Sequence, residues 1–311
     1  MTERAYCVAG HTFHFDIDDT CDITDHLDRY APFASVRDPS PVFRLYVTDS
    51  PVPLSTDRTG EMVCSADLPG VMCRMEDGGG LTVSIALAVG KEPAGELSIA
   101  ANLRSGRLKL TSTSTDARLF AFNSSAMIMY ALSTAGSGTL LLHASVVMNR
   151  GYGYIFLGRS GAGKSTHSRL WLEHISGSSL VNDDNPILKL FANGTVRVYG
   201  SPWSGKTNCY RNISVLAGAF VSIRQSGQNE ISRQNGIQAF ASLCSSVSGL
   251  AVLPEISENI YDSAASVVSS MPFFSLDCRP DEEAARVCAS GVMTQHTFNA
   301  AGKCGKWSNA L

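Results

Sequence analysis

The stretch Gly158-Arg159-Ser160-Gly161-Ala162-Gly163-Lys164-Ser165 matches the pattern G-x-x-x-x-G-K-[ST] and decides the fold of this chain. An apolar run at residues 154–157 precedes it, and a segment with helical character at 166–175 follows it. A strand, a glycine-rich loop and a helix in this order are typical of a loop that holds phosphate groups. The sequence therefore predicts an α/β P-loop domain built around position 160.

The chemistry of this loop indicates which ligand it holds. Its glycines let the backbone turn so that consecutive N–H groups point inward, and the following helix adds its positive N-terminal end. Lys164 can then reach the β and γ phosphates, while the Ser165 hydroxyl is placed to hold Mg²⁺. We predict a nucleoside triphosphate, ATP, bound with Mg²⁺. The predicted binding residues are Gly158, Arg159, Ser160, Gly161, Ala162, Gly163, Lys164, Ser165 and Thr166.

Composition limits the classes of partner. The 311 residues are 44% hydrophobic and 17% charged, and the formal net charge is -3. These values are ordinary for a globular protein, and the net charge gives no electrostatic case for nucleic acid. The chain start lacks a signal-peptide pattern, and no stretch approaches about 18 uninterrupted apolar residues. We expect a soluble, cytoplasmic protein that binds neither nucleic acid nor a membrane.

The first 135 residues alternate between apolar and polar positions, which favours strands. The predicted strands are 11–17, 42–47, 71–75, 81–86, 97–103 and 108–111, with hairpin connections at 77–80 and 104–107. A helix is predicted at 116–134, and the small residues 135–138 end it. We therefore predict a β-rich α+β N-terminal domain at 1–137 that recognises a substrate or mediates assembly. A P-loop domain at 138–292 and a flexible tail at 293–311 would follow.

The second half of the chain opens with an apolar run at 139–148, predicted as one strand. Only a short turn at 149–153 separates this strand from the one that leads into the loop, so the two should form an antiparallel hairpin. Further strands are predicted at 180–181, 186–191, 195–199, 219–223 and 273–276, and helices at 236–244, 257–269 and from 280 onward.

Two adjacent acids, Asp183 and Asp184, follow an apolar run and stand 19 residues after Lys164 (183 minus 164). One βα unit would bring them back beside the phosphates. There one carboxylate can hold Mg²⁺ and the other can accept a proton from an attacking hydroxyl. The alternative is a simple turn with Asn185-Pro186. His143, across the hairpin, could face the γ phosphate, or it could be a satisfied core histidine.

The loop at 200–207 is polar and rich in small residues, so it could approach a ligand closely. Lys206 is a candidate catalytic residue that neutralises charge on a transferring phosphoryl group, and Arg211 is a second candidate. The alternative is a surface loop with its tryptophan in the core. His167 and His174, on the helix after the P-loop, are expected to be exposed or packing residues.

Three motifs in this order resemble the catalytic domain of HPr kinase/phosphorylase and the wider phosphoenolpyruvate-carboxykinase-like group. They are the histidine segment 142–147, the loop 158–165 and the acidic segment 180–184. The likeness extends over about residues 139–290 and is close to bacterial HPr-kinase-related proteins that also carry a Gly-Ser-Pro-Trp-Ser-Gly segment. That fold has an antiparallel hairpin leading into its P-loop. The resemblance thus implies a mixed-sheet P-loop domain of this type after the β-rich α+β domain.

The resemblance also implies roles for individual residues. Lys164 and Ser165 would bind ATP and Mg²⁺. The pair Asp183 and Asp184 would supply metal binding and the proton acceptor, with the division between them left open. His143 would help to organise the phosphoryl site.

We predict an ATP-dependent kinase that transfers the γ-phosphoryl group to a hydroxyl, on a Ser/Thr of a protein or peptide or on a small metabolite. HPr kinases usually carry an acidic residue at the position of Arg159 and a glutamate at that of Thr166, so the acceptor is left unidentified. One alternative is an ATP-binding regulatory or assembly protein without phosphoryl transfer. Another is a small-molecule kinase of the standard P-loop fold, which requires parallel neighbours for the P-loop strand. The resemblance also leaves a homo-oligomer open.

Overall fold

The computed structural model describes residues 1–49, 63–64, 70–205, 207–248 and 253–302. Within these ranges the chain forms two mixed β-sheets and five α-helices, so the protein is a mixed α/β structure.

The N-terminal sheet carries one long helix on its inner face. Its eight strands within the described residues are β1 (Thr2–Val8), β2 (His11–Ile17), β3 (Phe43–Asp49), β4 (Val63–Cys64), β5 (Val71–Met75), β6 (Leu81–Ile85), β7 (Gly95–Ile99) and β8 (Ser105–Leu110). They lie in the order β1-β2-β3-β8-β7-β6-β5-β4, with β2–β3 and β3–β8 parallel and the other pairs antiparallel. Short 3₁₀ segments at Asp22–His26 and Asp28–Phe33 connect β2 to β3. Helix α1 (Thr115–Thr134) then packs on β3, β7 and β8.

Two predictions for this half need correction. The edge strand β1 was not predicted, because the exposed residues Glu3 and Arg4 interrupt its first half and only Tyr6 and Val8 alternate as buried apolar residues. The hairpin connection predicted at 104–107 is wrong, since Ser105 already begins β8 and the turn lies at residues 100–104. Gly106 is a packing glycine there: a Cβ atom would lie only 2.8 Å from Met129 Sδ of α1. A glycine that permits close helix packing has the same sequence signature as a turn glycine.

The second sheet contains the P-loop. Its nine strands within the described residues are β9 (Thr139–Leu141), β10 (Ala144–Asn149), β11 (Tyr152–Leu157), β12 (Ser179–Asp184), β13 (Ile187–Leu190), β14 (Val196–Tyr199), β15 (Ser214–Gln225), β16 (Glu230–Arg233) and β17 (Phe273–Cys278). Its helices are α2 (Lys164–His174), α3 (Gly236–Cys244), α4 (Pro254–Ser270) and α5 (Glu282–Gly302). The main strand path is β12-β10-β11-β15-β14-β13-β9, and β17 pairs with both β15 and β16.

The P-loop strand β11 has one antiparallel and one parallel neighbour. It pairs antiparallel with β10 and parallel with β15. The turn between β10 and β11 is Arg150-Gly151, and both residues have positive φ (49° and 80°), as a two-residue hairpin turn requires. The predicted antiparallel hairpin is therefore present. A standard P-loop fold requires parallel strands on both sides of the P-loop strand, and β11 does not have them.

The single strand predicted at 139–148 is in fact two strands at different places in the sheet. β9 pairs with β13, whereas β10 pairs with β11 and β12. The break falls at Leu142-His143, whose backbone N–H groups donate to Pro186 O (3.0 Å) and Ser246 O (2.6 Å). Both halves are buried, so the run of apolar residues does not reveal the break. His143 consequently lies between two strands and not within one.

One apolar core joins the two sheets, and a second lies between α2, α5 and the P-loop sheet. The predicted boundary at 137/138 falls just after the 3₁₀ segment Ala135–Ser137, where Gly138 has φ 67°. Helix α5 continues through position 293, the predicted start of the tail, to Gly302, and 303–311 lie outside the described residues. None of the helices in the described ranges combines the length and hydropathy needed to cross a membrane.

Candidate functional site

The P-loop joins β11 to α2 through three glycines with positive φ. Gly158, Gly161 and Gly163 have φ of 146°, 79° and 104°, conformations that an L side chain rarely adopts. Helix α2 begins at Lys164, whose Nζ donates to the carbonyl oxygens of Gly158 (2.8 Å) and Arg159 (3.3 Å). The lysine is therefore folded back over the loop, at the N-terminal end of the helix, a position that in proteins generally favours anions such as phosphate.

The acids and the P-loop lie at the same edge of the sheet. Strand β10 lies between β11 and β12 and is antiparallel to both, so the carboxyl ends of β11 and β12 meet the start of β10. In register, Asp183 faces Ser145, and Ser145 faces Phe156 near the end of β11. Because neighbouring strands are about 4.8 Å apart, the Asp183 and Phe156 backbones are about 10 Å apart. His143, just before β10, lies at this edge too.

Asp183 is 5% exposed and has one carboxylate oxygen without a partner. Its Oδ2 accepts from Thr207 Oγ1 (2.7 Å), but Oδ1 has no hydrogen bond among the described residues. A buried, unpaired carboxylate oxygen is costly unless a cation or donor faces it. Within the described residues, no group of three His, Cys, Asp or Glu side chains could hold a metal. The single unpaired carboxylate oxygen of Asp183 still fits Mg²⁺, because proteins usually bind this ion through only one or two carboxylates together with substrate phosphates.

Asp184 is oriented by its neighbours and remains reachable. His143 Nδ1 lies 3.1 Å from Asp184 Oδ1, and Asn185 Nδ2 donates to Oδ2 (2.9 Å). The side chains of His143 and Asp184 are 23% and 36% exposed. The backbone φ of Asp184 is 144°, and Asp184 forms an isolated β-bridge with Ser204. The geometry thus presents a carboxylate, held by an imidazole, at the surface of the site.

The segment 200–207 is fastened to the end of β12 by residues that sequence reasoning missed. Asn182 Nδ2 donates to Ser201 Oγ (3.2 Å), and the Thr207 hydroxyl donates to Asp183. Gly205 N–H donates to the carbonyl oxygen of Asp183 (2.7 Å). In the sequence, Asn182 could have been recognised by its place directly before the two acids. Nothing in the sequence near Thr207 indicated that its hydroxyl would bind Asp183.

The remaining predicted residues divide into three groups. Ser165 and Thr166 lie in the first turn of α2, next to the loop. Lys206 lies outside the described residues. Arg211 is not at the site, because its guanidinium donates to the carbonyl oxygen of Leu180 at the opposite end of β12.

A cavity of about 360 Å³ lies on the other side of the P-loop from the acids. It is bounded by P-loop residues 161–163, by the ends of β15 and β17, and by the first turns of α2. Because β11, β15 and β17 are parallel, their carboxyl ends lie at one edge, where α/β sheets bind ligands. Burial raises the pKa of the Cys278 thiol in its wall to about 11, so this thiol is neutral at pH 7.

His167 is packed in the core at the wall of this cavity, and His174 is half-buried beside Glu173. The His167 ring is buried against Phe156, and its Nε2 lies 3.1 Å from the indole Nε1 of Trp171. Burial lowers the pKa of His167 to about 4, so the ring is neutral at pH 7. Its Nδ1 has no hydrogen-bond partner among the described residues. Packing was expected at this position; a buried nitrogen without a partner was not.

No protein-family model matches this chain. No curated protein matches it either. Among solved structures, it is similar to the HPr(Ser) kinase/phosphatase from Coxiella burnetii, with a TM-score of 0.33 and 10% sequence identity over 52% of this chain and 95% of that one. That protein is a weak structural neighbour only.

Proposed function

We propose that this protein is an ATP-dependent kinase of the HPr-kinase-like type, which transfers the γ-phosphoryl group to a hydroxyl. The observation that carries the proposal is the meeting of three elements at one sheet edge: the P-loop, His143, and the pair Asp183 and Asp184. The acceptor hydroxyl belongs to a Ser/Thr of a protein or peptide, or to a small metabolite. The N-terminal sheet would recognise it.

The binding roles follow from the contacts. The loop amides and Lys164 hold the β and γ phosphates. Asp183, with its unpaired oxygen, and Ser165 are the metal ligands. When bound, Mg²⁺ neutralises negative charge that develops on the transferring group.

The remaining carboxylate, Asp184, accepts the proton. In the transfer step, the acceptor oxygen forms a bond to the γ phosphorus, the bond from that phosphorus to the β–γ bridging oxygen breaks, and ADP leaves. The proton of the hydroxyl passes to Asp184, which His143 holds in position. A protein that only binds ATP would have no need for a carboxylate in a strained backbone conformation, so the geometry of Asp184 favours transfer over binding alone.

The test is label transfer from γ-labelled ATP with Mg²⁺ to an extract of the source organism, separated into proteins, peptides and small molecules. The wild-type protein should label a component of one fraction. Lys164→Ala should lose ATP binding. Asp184→Asn should keep ATP binding but lose about 10²- to 10⁴-fold in transfer rate, the range for a general base.

The control is Asp262→Asn, the same change at an exposed position on α4, which should leave both measurements unchanged. Absence of ATP binding and label transfer in the wild type would refute the proposal. Normal transfer by Asp184→Asn would refute the role of the base and favour a site in which ATP is only bound.

A further inference from the structure

A second cavity, of about 220 Å³, lies on the face of the N-terminal sheet opposite α1, here called the outer face. Successive side chains of a strand point to opposite faces of a sheet. In β2, Phe13 faces the core and stacks on Trp203, so His14 and Asp16 face outward. Residues 3–5 of β1 and the connection at 35–37 complete the walls. The sheet therefore separates this cavity from Trp203 and from the P-loop site.

Asp16 is a buried carboxylate that makes no hydrogen bond to any residue in the described ranges. Its side chain is 4% exposed, and Nη1 of Arg44, its ion-pair partner, lies 4.0 Å from Oδ2, too far for a hydrogen bond. Oδ1 is enclosed by protein and cannot meet a ligand, so Oδ2 is the oxygen that the carboxylate presents to the cavity. A buried carboxylate is costly until a donor or cation reaches it. An ammonium group in the cavity would supply the missing donors.

Arg37 is the group of the cavity that can bind an anion. Its Nη1 contacts Oε2 of Glu3, and Glu3 lies opposite Asp16 in the register of β1 and β2. Because opposite side chains of paired strands have Cβ atoms about 5 Å apart, the guanidinium and the Asp16 carboxylate lie close together. The Arg37 side chain is 57% exposed, so its ion pair with Glu3 contributes little stability. The guanidinium can therefore turn its N–H groups to a carboxylate in the cavity.

The charges of the cavity disfavour a ligand of a single sign. Burial is the main cause that lowers the pKa of His14, so this ring is neutral at pH 7. A simple cation would meet Arg4 and Arg37, and a simple anion would meet Glu3 and Asp16. A small molecule with both an ammonium and a carboxylate group meets the opposite charge at each of its ends.

We propose that this cavity binds a free α-amino acid, whose ammonium group donates to Oδ2 of Asp16 and whose carboxylate accepts from Arg37. A single carbon atom joins the two charged groups of an α-amino acid, which suits charges this close together. The cavity is smaller than the roughly 300 Å³ at which pockets for drug-sized ligands begin, so the amino acid is a small one. The inference does not depend on the proposed function, because this cavity shares no residue with the P-loop site.

Nitrogen-15 NMR of the full chain tests the inference with the free protein amino acids, added one at a time at millimolar concentration. At least one small amino acid should shift the backbone amide resonances of residues 3–5, 14–16 and 35–37. The resonances of the P-loop, 158–165, should stay in place. If no amino acid shifts the first set, the inference is overturned.

The amino acid that binds best is then compared with its single-charge analogues, the amine without the carboxylate and the acid without the amine. Each analogue should bind about tenfold more weakly, as expected for the loss of a hydrogen bond between charged groups. An analogue that binds as tightly as the amino acid would overturn the inference, since one charge would then be enough.

Variants of the two charged residues test their roles. Asp16→Asn keeps the shape of the side chain and removes its charge, and it should weaken amino-acid binding by at least about tenfold. Arg37→Gln should weaken binding by a similar factor, and because Arg37 is largely exposed, this variant serves even if Asp16→Asn fails to fold. Asp77→Asn, at an exposed turn of the same sheet, is the matched control and should bind as the wild type does. Unchanged affinity in Asp16→Asn or in Arg37→Gln would overturn the inference.

Discussion

Asp184 combines an unusual backbone conformation with two side-chain contacts. Its φ of 144° is rare for a residue with a Cβ atom, and such conformations cost of the order of 1–3 kcal/mol. The contacts with His143 and Asn185 and the bridge to Ser204 hold it there. These contacts offset the strain and keep a carboxylate at the surface of the site.

Substitution of Asp184 should reveal this strain. We expect Asp184→Gly to be more stable than Asp184→Ala by about 1 kcal/mol, because glycine adopts the backbone angle without a Cβ clash. Denaturant unfolding measures the difference, and both variants should lack phosphoryl transfer.

The matched control is the same pair of substitutions at Asp262, which lies within α4 and is exposed. There the order should reverse, with alanine more stable by about 1 kcal/mol, as in any helix interior. A more stable alanine variant at position 184 would show that the backbone angle carries no strain.

At the scale of elements, the site depends on the contact between β12 and the segment 200–207. Gly205 passes so close to Asp184 that a Cβ atom at Gly205 would lie 3.2 Å from the Cβ and Cγ of the aspartate. The backbone φ of Gly205 is not in the positive range, so alanine could adopt its conformation. Glycine is therefore required at position 205 because a side chain there would crowd Asp184.

We expect Gly205→Ala to displace the Asp184 carboxylate by a few tenths of an ångström. The transfer rate should fall by about tenfold, since a shift of about 1 Å can cost 100-fold, while the Kd for ATP stays unchanged. Gly236→Ala is the control, because a Cβ atom at Gly236 meets nothing within 4 Å. Equal activity of the two variants would show that Asp184 can move without consequence.

At the scale of the molecule, the two sheets share an aromatic cluster that reaches the site. Trp203, within the segment 200–207, is buried and stacks on Phe13 with ring centroids 6.4 Å apart. Its indole N–H donates to the Tyr30 hydroxyl (3.0 Å), and Tyr130 packs against its ring edge. The N-terminal sheet therefore supports the loop that positions Asp183 and Asp184.

The junction between the sheets also predicts a dependence of stability on pH. His11 Nε2 lies 2.9 Å from Thr139 Oγ1, and burial, with a smaller effect from Lys189, lowers the pKa of His11 to about 4. The unfolded chain, with a histidine pKa near 6.5, binds this proton more readily than the folded protein. Stability should therefore be complete above about pH 6.5 and fall as the pH drops toward 4, by at most about 3 kcal/mol.

Urea unfolding between pH 7.5 and pH 4 measures this effect. His11→Gln cannot titrate, so the free energy of unfolding of this variant should fall less steeply with acid. Part of the slope should remain, because burial lowers the pKa of His167 to about 4 as well. An identical slope in the variant would show that His11 is not the group responsible.

The sequence closely predicted those parts of the structure that depend on residues close together along the chain. The helix predicted at 236–244 is α3, and the one predicted at 116–134 is α1 to within one residue. The P-loop turn and the hairpin before it were also predicted, because glycine positions and a short turn set the backbone directly. The division into domains at 137/138 stays a prediction, since the apolar core continues across it.

By itself, then, the sequence determined the glycine-rich turn between β11 and α2, the direction of the strand before it and the residues available for chemistry. Only the tertiary structure decided that the apolar run breaks at His143, that Thr207 holds Asp183, and that Trp171 leaves the Nδ1 of His167 without a partner. The reason is physical. Turns and helices are set by local backbone preferences, whereas the partner of a buried polar atom comes from whichever distant segment packs against it.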